Sequence, residues 1–225
     1  MKTRIEFPKA VLFDFDGVLV NSFQCHYNAW KSAYLELFNE ENLYFPHKEL
    51  AGKSPILIAE HLCNSIGQPH KSDEYFKLKA AHLHASKHPP ELLPGGKEIH
   101  KFLSSNLIPQ GIASNATQQF IKNSIEQLGL GFTTFFGIEN YKFPKPHPEP
   151  YITLAKSLGI KDHFYKNTWV FEDSITGIQA VKAANMIPIG ISTLNSEEIL
   201  LNAGSMIVFK DLYEAYEYLK KLKET

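Results

Sequence analysis

The stretch Phe13-Asp14-Phe15-Asp16-Gly17-Val18-Leu19 constrains the fold most, because two carboxylates follow an apolar segment and a glycine comes directly after them. The apolar run Ala10 to Phe13 is typical of a buried strand in a parallel sheet. In open α/β sheets, ligands bind at the carboxyl ends of the strands. We therefore expect Asp14 and Asp16 at such an edge, where neighbouring carboxylates shift each other's pKa or recruit a cation. An ordinary Asp-Gly turn is the alternative, but it needs only one acid.

Three later segments place polar side chains after predicted strands or in stiff loops. The first ends at Ser114 and Asn115, the second is the proline-rich loop around Lys145, and the third ends at Glu172 and Asp173. Prolines on both sides of Lys145 restrict its backbone, so the ammonium group is held rigidly. Hydroxyl, amide and ammonium groups suit an anion, whereas the two acids add negative charge. We expect all of these groups to meet at one edge of the sheet.

The remaining pattern predicts an α/β fold, a Rossmann-like doubly wound parallel sheet with an inserted all-helical cap subdomain. Three helical patterns follow one another between residues 23 and 86, and strands and helices alternate from Pro94 onward. We therefore predict a core domain of residues 1–21 and 93–225 and a helical cap domain of residues 22–92, here called the cap segment. After the first strand, the predicted strands are Leu107–Ala113, Thr133–Phe136, Trp169–Phe171, Ile187–Ile191 and Met206–Phe209.

Composition excludes some classes of partner. The chain has 225 residues, of which 44% are hydrophobic, enough to bury a full core. With 23 basic and 24 acidic residues the net charge is −1, which gives no electrostatic reason to expect nucleic acid or an anionic membrane. Two cysteines and the lack of an apolar run near ~18 residues favour a cytoplasmic protein. We expect a monomer or weak homodimer that acts on a small substrate.

Taken together, the four motifs resemble the haloacid dehalogenase superfamily of phosphohydrolases and phosphomutases. They occur in the family's order between Val11 and Gly177. The resemblance is to the subfamily with a helical cap, which includes phosphoglycolate phosphatase and β-phosphoglucomutase. It implies a phosphatase that hydrolyses a small phosphorylated metabolite, such as a sugar phosphate or a phosphoglycolate-like compound, through an aspartyl-phosphate intermediate. Dehalogenases proper lack an acid at the position of Asp16, so dehalogenation is not expected.

The resemblance also implies roles for the motif residues. Asp14 is the expected nucleophile, and Asp16 the group that protonates the leaving oxygen and then takes a proton from water. Lys145 is the third expected catalytic residue, which neutralises the nucleophile and the transferring group. Ser114 and the amides around Asn115 are expected to hold phosphoryl oxygens.

The repulsion between an attacking carboxylate and a phosphate ester indicates that this site needs a cation. A carboxylate that attacks a phosphate ester brings two anions together, which costs about 4 kcal/mol for each pair at ~4 Å and an effective dielectric near 20. Mg²⁺ prefers oxygen ligands and keeps waters and substrate oxygens in its shell. The expected Mg²⁺ ligands are Asp14, Asp16, Asp173 and Glu172. By resemblance, Asp16 contributes its backbone carbonyl, and Glu172 acts through a water.

Two observations bear on whether the chain is a hydrolase or a mutase. In β-phosphoglucomutase a histidine and a tryptophan follow the nucleophile by 12 and 16 residues, and His26 and Trp30 stand at those offsets here. The cap of that enzyme also has a Lys before a Gly and an Arg after a Ser, and Ala51 and Pro55 occupy those places. Lys53 could substitute in part, so His26 and Lys53 are candidate substrate-binding residues. We favour a phosphatase; the alternatives are a hexose phosphate mutase and a non-catalytic phosphate-binding regulator.

Overall fold

The structure is a computed structural model of the chain and describes residues 5–50, 53–86 and 88–224. Within these residues, six strands form one parallel sheet and two more form an antiparallel pair. The strands are β1 (Ala10–Phe13), β2 (Val20–Asn21), β3 (Glu91–Leu92), β4 (Gln110–Ala113), β5 (Phe135–Phe136), β6 (Thr168–Glu172), β7 (Ile187–Ile191) and β8 (Ile207–Phe209). The large sheet has the order β5-β4-β1-β6-β7-β8, and β2 pairs with β3.

The described helices are α1 (Phe23–Phe38), α2 (His47–Leu50), α3 (Pro55–Ser65), α4 (Ser72–Ala85), α5 (Gly96–Ser105), α6 (Gln118–Leu128), α7 (Glu149–Ser157), α8 (Ile175–Ala183), α9 (Glu197–Ala203) and α10 (Leu212–Lys223). Helices α1 to α4 lie between β2 and β3, and from β3 onward one α-helix follows each strand. Short 3₁₀ segments lie at Pro69–Lys71, Ile138–Asn140 and Asp162–Asn167. None of the described helices is both long enough and apolar enough to cross a membrane.

Alternate residues of β1 face opposite sides of the sheet, as the two-residue period of a strand requires. Val11 and Phe13 pack in one apolar cluster with residues of α5, α6 and α10, whereas Ala10 and Leu12 pack in a second with residues of α7 and α8. Because helices cover both faces, β1 is apolar throughout, and its neighbours β4 and β6 carry polar residues only at their ends. This confirms the predicted doubly wound sheet and leaves its carboxyl edge open for a site.

The helices between β2 and β3 have an apolar cluster of their own. Trp30 of α1, Leu62 of α3 and Tyr75 of α4 are buried together, with the Trp30 and Tyr75 ring centroids 4.9 Å apart. Two residues of this region, Ala29 and Leu83, pack instead in the larger cluster of the sheet. The cap segment therefore has its own core and also rests on the main one. Its division from the rest at residues 22–92 remains our proposal.

The chain enters and leaves the cap segment through the short pair β2 and β3. Val20 lies opposite Leu92, and Asn21 lies opposite Glu91. Two-residue strands are too short to show a period in the sequence, so neither was among the predicted strands. The two connections are thus tied to each other by backbone pairing, directly beside the sheet edge.

Two predicted strands begin two or more residues later in the structure than the sequence suggested. The strand predicted from Leu107 begins at Gln110, because the N–H groups of Leu107 and Ile108 donate to carbonyls at the end of α5. Leu107 has a φ of 55° and is 91% exposed, so it belongs to a turn. The strand predicted from Thr133 begins at Phe135. The residues in these turns resemble strand residues in type, so the predicted strands begin before the first hydrogen-bonded residue of the sheet.

Candidate active site

The functional side chains meet because they follow three neighbouring strands. Asp14 comes directly after β1, Ser114 directly after β4 and Asp173 directly after β6. The sheet order places β1 between β4 and β6, and Phe13 at the end of β1 pairs with residues near the ends of both neighbours. Parallel strands in this register carry the next side chains to one point at the sheet edge.

Lys145 joins two of the carboxylates by direct ion pairs. Its Nζ lies 2.7 Å from Asp14 Oδ1 and 2.8 Å from Glu172 Oε1, and all three residues are buried. The same ammonium lies 4.7 Å from the ring centroid of Tyr151, whose hydroxyl donates to Glu172. The backbone N–H of Lys145 donates to Asn115 Oδ1 at 3.2 Å. These contacts fix both ends of the lysine, so the charge has a defined position.

Asp14, Glu172 and Asp173 form a buried acidic group whose carboxylate oxygens lie within 4.8 Å of one another. Burial raises the pKa of Asp14 to about 7, with Lys145 opposing the rise and Glu172 adding to it. Burial and the negative charge of Asp14 raise the pKa of Asp173 well above its usual value. Three carboxylates face one ammonium among the described residues, so negative charge is in excess. This donor set of oxygen ligands fits a hard divalent cation such as Mg²⁺.

Two glycines make room for these carboxylates. A Cβ on Gly17, which has a φ of 80°, would lie 1.8 Å from Asp173 Oδ2. A Cβ on Gly177 would lie 1.9 Å from Glu172 Cδ. Ser174 completes this corner, since its hydroxyl caps α8 by accepting from the Gly177 N–H and donates to Glu172 Oε2 at 3.1 Å. The glycines that follow the first and fourth motifs therefore serve close packing against the acids.

Asp16 is held differently from Asp14. Its half-buried side chain accepts hydrogen bonds from Ser22, from Ser114 Oγ at 3.1 Å and from His26 Nε2 at 3.2 Å. Burial favours the neutral acid, but the hydrogen bonds from His26, Ser22 and Ser114 prevail and lower the pKa of Asp16 below its usual value. The Asp16 side chain is not part of the acidic group. It points instead to the cap segment, as expected if only its carbonyl faces the cation.

Lys79 is a site residue that the sequence analysis missed. Its Nζ lies 2.9 Å from His26 Nδ1 and 5.3 Å from the Trp30 ring centroid, and the residue is 3% exposed. Because an ammonium only donates, Nδ1 must accept, and the His26 proton lies on Nε2, where it donates to Asp16. Burial and the Lys79 charge lower the pKa of His26, which agrees with this neutral tautomer.

A sequence signal for Lys79 did exist. Tyr75, Lys79 and Leu83 follow one another at four-residue spacing and are all buried on one face of α4. A lysine in register with apolar residues on a helix face is a candidate for a buried, paired charge. None of the four motifs lies on α4, so the motifs by themselves do not single out Lys79.

The site opens into a cavity of about 450 Å³ between the sheet edge and the cap segment. Of the predicted site residues, all but Glu172 line it: Asp14, Asp16, His26, Lys53, Ser114, Asn115, Lys145 and Asp173. Glu172 is fully buried behind Lys145. Lys53 is exposed at the cap side, while Ala51 and Gly52, which the mutase comparison used, lie outside the described residues.

The predicted phosphoryl-binding residues lie at the bottom of this cavity. The Ser114 hydroxyl accepts from the Ala116 N–H at 3.0 Å and donates to Asp16. The Asn115 side-chain carbonyl accepts from the Lys145 backbone. Both residues therefore lie between Lys145 and the cap, where an anion next to Asp14 would contact them.

Comparison with known proteins supports the same class of site. Validoxylamine A 7'-phosphate phosphatase of Streptomyces hygroscopicus subsp. limoneus is 26% identical over 92% of this chain and 95% of its own length. The phosphorylated carbohydrates phosphatase of Thermotoga maritima is 28% identical over 96% of this chain and 99% of its own. The structure of β-phosphoglucomutase from Clostridium difficile has a TM-score of 0.78 at 21% identity and covers 96% of this chain and 97% of its own. At that identity the last match is evidence for the fold.

The sequence profile described as haloacid dehalogenase-like hydrolase matches residues 11–191. That range contains every motif residue described above, from Asp14 to Asp173. The resemblance inferred from the four motifs and the prediction of a hydrolytic enzyme are both confirmed, and the curated relatives named above support phosphatase activity. The chain therefore belongs to the family of haloacid dehalogenase-like hydrolases.

Proposed function

We propose that this chain is a Mg²⁺-dependent phosphatase that hydrolyses a small phosphorylated metabolite through an aspartyl-phosphate intermediate. The observation that carries the proposal is the contact between Asp14 and Lys145 at the bottom of the cavity, beside two further carboxylates. Sugar phosphates and phosphoglycolate-like esters are the first compounds to test, because the curated relatives include a phosphatase named for carbohydrates.

In the first step, Asp14 attacks phosphorus and the bond to the leaving oxygen breaks. Lys145 Nζ, 2.7 Å from Asp14 Oδ1, opposes the burial that raises the pKa of this carboxyl group and so favours its ionised, nucleophilic form. The same ammonium offsets charge on the transferring phosphoryl group, while Ser114 and Asn115 hold its oxygens. Covalent capture on Asp14 divides one difficult displacement into two easier ones.

Asp16 transfers the protons in this proposal. It protonates the leaving oxygen in the first step and accepts a proton from water in the second. In the structure three hydrogen bonds hold it as a carboxylate, the form needed for the second step. The first step needs the protonated form, so the contacts with Ser22 and His26 have to loosen when substrate enters.

Asp14, Asp173 and the backbone carbonyl of Asp16 would hold Mg²⁺, with Glu172 at its side. The supporting observation is the excess of buried carboxylates over ammonium groups at this point. When bound, Mg²⁺ supplies positive charge that offsets the repulsion between the nucleophile and the phosphate. Glu172 contributes by keeping Lys145 and Tyr151 in place from behind.

A hexose phosphate mutase is the second candidate, and one contact favours it. His26 donates to Asp16 from the cap segment, so a group that moves with the cap touches the proposed acid. Against it, Lys53 is exposed and Pro55 stands where the mutase carries an Arg, which leaves little positive charge for a second phosphate. A non-catalytic phosphate-binding regulator is the third reading, although every motif side chain is present.

A phosphorus NMR time course with Mg²⁺ separates these functions. The protein is incubated with a hexose 1-phosphate and a trace of hexose bisphosphate, and separately with hexose 6-phosphate and phosphoglycolate. Growth of inorganic phosphate that stops when Mg²⁺ is chelated supports the phosphatase. Formation of hexose 6-phosphate without inorganic phosphate would replace it by the mutase. No release of phosphate from these esters or from an aromatic ester such as benzyl phosphate would favour the regulator.

A further inference from the structure

Five ring side chains form a continuous wall on the cap side of the cavity, which we call the aromatic wall. In spatial order they are His47, Phe23, Tyr27, Phe45 and Trp30, and all five line the cavity. The centroids of successive rings are 4.2, 5.9, 5.8 and 6.5 Å apart. Such spacing is that of rings in mutual contact, so the wall is one surface and not five separate side chains.

The aromatic wall begins beside the proposed acid and runs outward. Trp30, at its inner end, is 1% exposed and lies under Lys79, which contacts His26 and through it Asp16. Phe23, near its outer end, is 40% exposed. The leaving group of an ester bound at Asp14 would therefore extend along the wall from its buried to its exposed end.

Several polar side chains of the cap along this path already bind other groups, as Ser22 does by donating to Asp16. His26 and Lys79 bind each other, and the Asn21 amide lies 3.4 Å from Glu91 Oε2. Among the described cap residues that line the cavity, this leaves His47 and Lys53 as the basic side chains without an ion partner. Both are exposed at the outer side. A second phosphate needs several fixed cations, and a polyol needs many fixed donors and acceptors, so neither matches this surface.

We infer that the substrate is a phosphate monoester whose alcohol carries a planar aromatic or heteroaromatic ring, an inference that rests on the proposed function. Flat rings gain from contact with aromatic faces and edges beyond the area that they bury. The cavity of about 450 Å³ is in the range of about 300–1,000 Å³ that small-molecule sites occupy. This departs from the sugar phosphates and phosphoglycolate that the sequence favoured.

The test compares benzyl phosphate with cyclohexylmethyl phosphate. Both carry the phosphate on a primary carbon next to a six-membered ring, so the two esters differ mainly in the flatness and π-electrons of that ring. We expect kcat/KM for benzyl phosphate to be higher by about tenfold, which corresponds to about 1.4 kcal/mol. Glucose 6-phosphate, of similar ring size but polar, should be poorer than both.

Variants link the preference to the aromatic wall. Phe45→Leu should reduce the ratio of the two kcat/KM values to about three or less, because Leu keeps apolar volume but loses the ring. Tyr44→Leu is the matched control, since Tyr44 is adjacent in sequence, 76% exposed and outside the cavity lining. It should leave the ratio unchanged. Equal kcat/KM values for the two esters in the wild-type protein overturn the inference. So does a ratio of the two values that Phe45→Leu leaves unchanged.

Binding separates failure of this inference from failure of the proposed function. In Asp14→Asn, calorimetry should give a lower dissociation constant for benzyl phosphate than for cyclohexylmethyl phosphate. Turnover of all esters without a ring preference leaves the phosphatase standing and removes the ring inference. A ring preference in binding, without turnover of any ester by the wild-type protein, removes the phosphatase and leaves the aromatic wall as a surface that binds aromatic phosphate esters. Preference for glucose 6-phosphate in both assays overturns the inference outright.

Discussion

The two sides of the cavity are built on different principles. At the sheet edge, charged groups are almost fully buried, with Lys145 4% exposed, Glu172 0% and Asp173 4%, and Lys145 binds both Asp14 and Glu172. On the cap side, the surface consists of rings and half-exposed groups, and Lys79 is its one buried cation among the described lining residues. Fixed charges are what phosphoryl transfer requires, whereas an apolar surface selects by shape. Under the proposed function, the sheet edge would perform the chemistry and the cap segment would choose the substrate.

The largest effect should come from the sheet edge. Asp14→Asn should lower phosphate release by about 10⁴-fold or more, because it removes the proposed nucleophile. The free energy of unfolding should change by about 1 kcal/mol or less, since Asn relieves repulsion among three neighbouring carboxylates. Phosphate release and urea unfolding measure the two quantities, with exposed Asp162→Asn as the control. Retained turnover would reject Asp14 as the nucleophile.

Lys145→Met should affect both chemistry and stability. It leaves Asp14 and Glu172 without their cation, which should cost about 3–5 kcal/mol of unfolding free energy and about 10²–10³ in rate. Saturating Mg²⁺ should restore part of the stability by binding the folded acids. Lys142→Met, an exposed change in the same loop, is the control. If both variants unfold alike, the buried ion pairs do not stabilise this edge as we argue.

Lys79→Met tests whether the one buried cation of the cap side behaves like Lys145. Burial lowers the pKa of Lys79 from 10.5 to about 8, although Asp16, beyond His26, opposes the shift. Between those pH values the unfolded chain binds this proton more often than the folded one. Wild-type stability should therefore rise from pH 7 to pH 10.5 relative to Lys79→Met, by about 2–3 kcal/mol.

The rate should separate Lys79 from Lys145 as well. We expect Lys79→Met to lower kcat by less than about tenfold, because Lys79 reaches the reacting atoms only through His26 and Asp16. Denaturant unfolding across pH and initial rates at pH 7 provide the two measurements. A decrease in kcat as large as that caused by Lys145→Met would mean that the cap segment takes part in the chemistry, and would contradict the division of roles between the two sides of the cavity.

Lys53→Gln should have the smallest effect. Lys53 is exposed at the outer side of the cavity, so its removal should change stability by about 0.5 kcal/mol or less. We expect kcat within about twofold of wild type and KM within a few-fold, because a solvated cation contributes little. Steady-state kinetics with glucose 6-phosphate check this. A large rise in KM for hexose bisphosphate alone would make Lys53 a second phosphate site and favour the mutase.

The sequence by itself determined the sheet edge. Strand patterns and turn residues are local signals, and parallel strands that end together necessarily bring the residues that follow them to one place. Asp14, Ser114 and Asp173 could thus be grouped before any coordinates were known. The bounds of β1 and β7 also agree with prediction, because each apolar run is followed directly by a polar residue, Asp14 or Ser192.

The tertiary structure alone decided which side chains of the cap segment contact one another. Lys79 and His26 are 53 residues apart and meet only because α1 and α4 pack together. The aromatic wall likewise brings rings of α1 into contact with Phe45, in the segment before α2. No sequence period relates that segment to α1. The opposite orientations of Asp14 and Asp16 also depend on distant residues. Lys145 binds the Asp14 side chain on the core side, whereas His26 binds the Asp16 side chain on the cap side. Contacts between distant segments depend on helix packing, which local patterns do not specify.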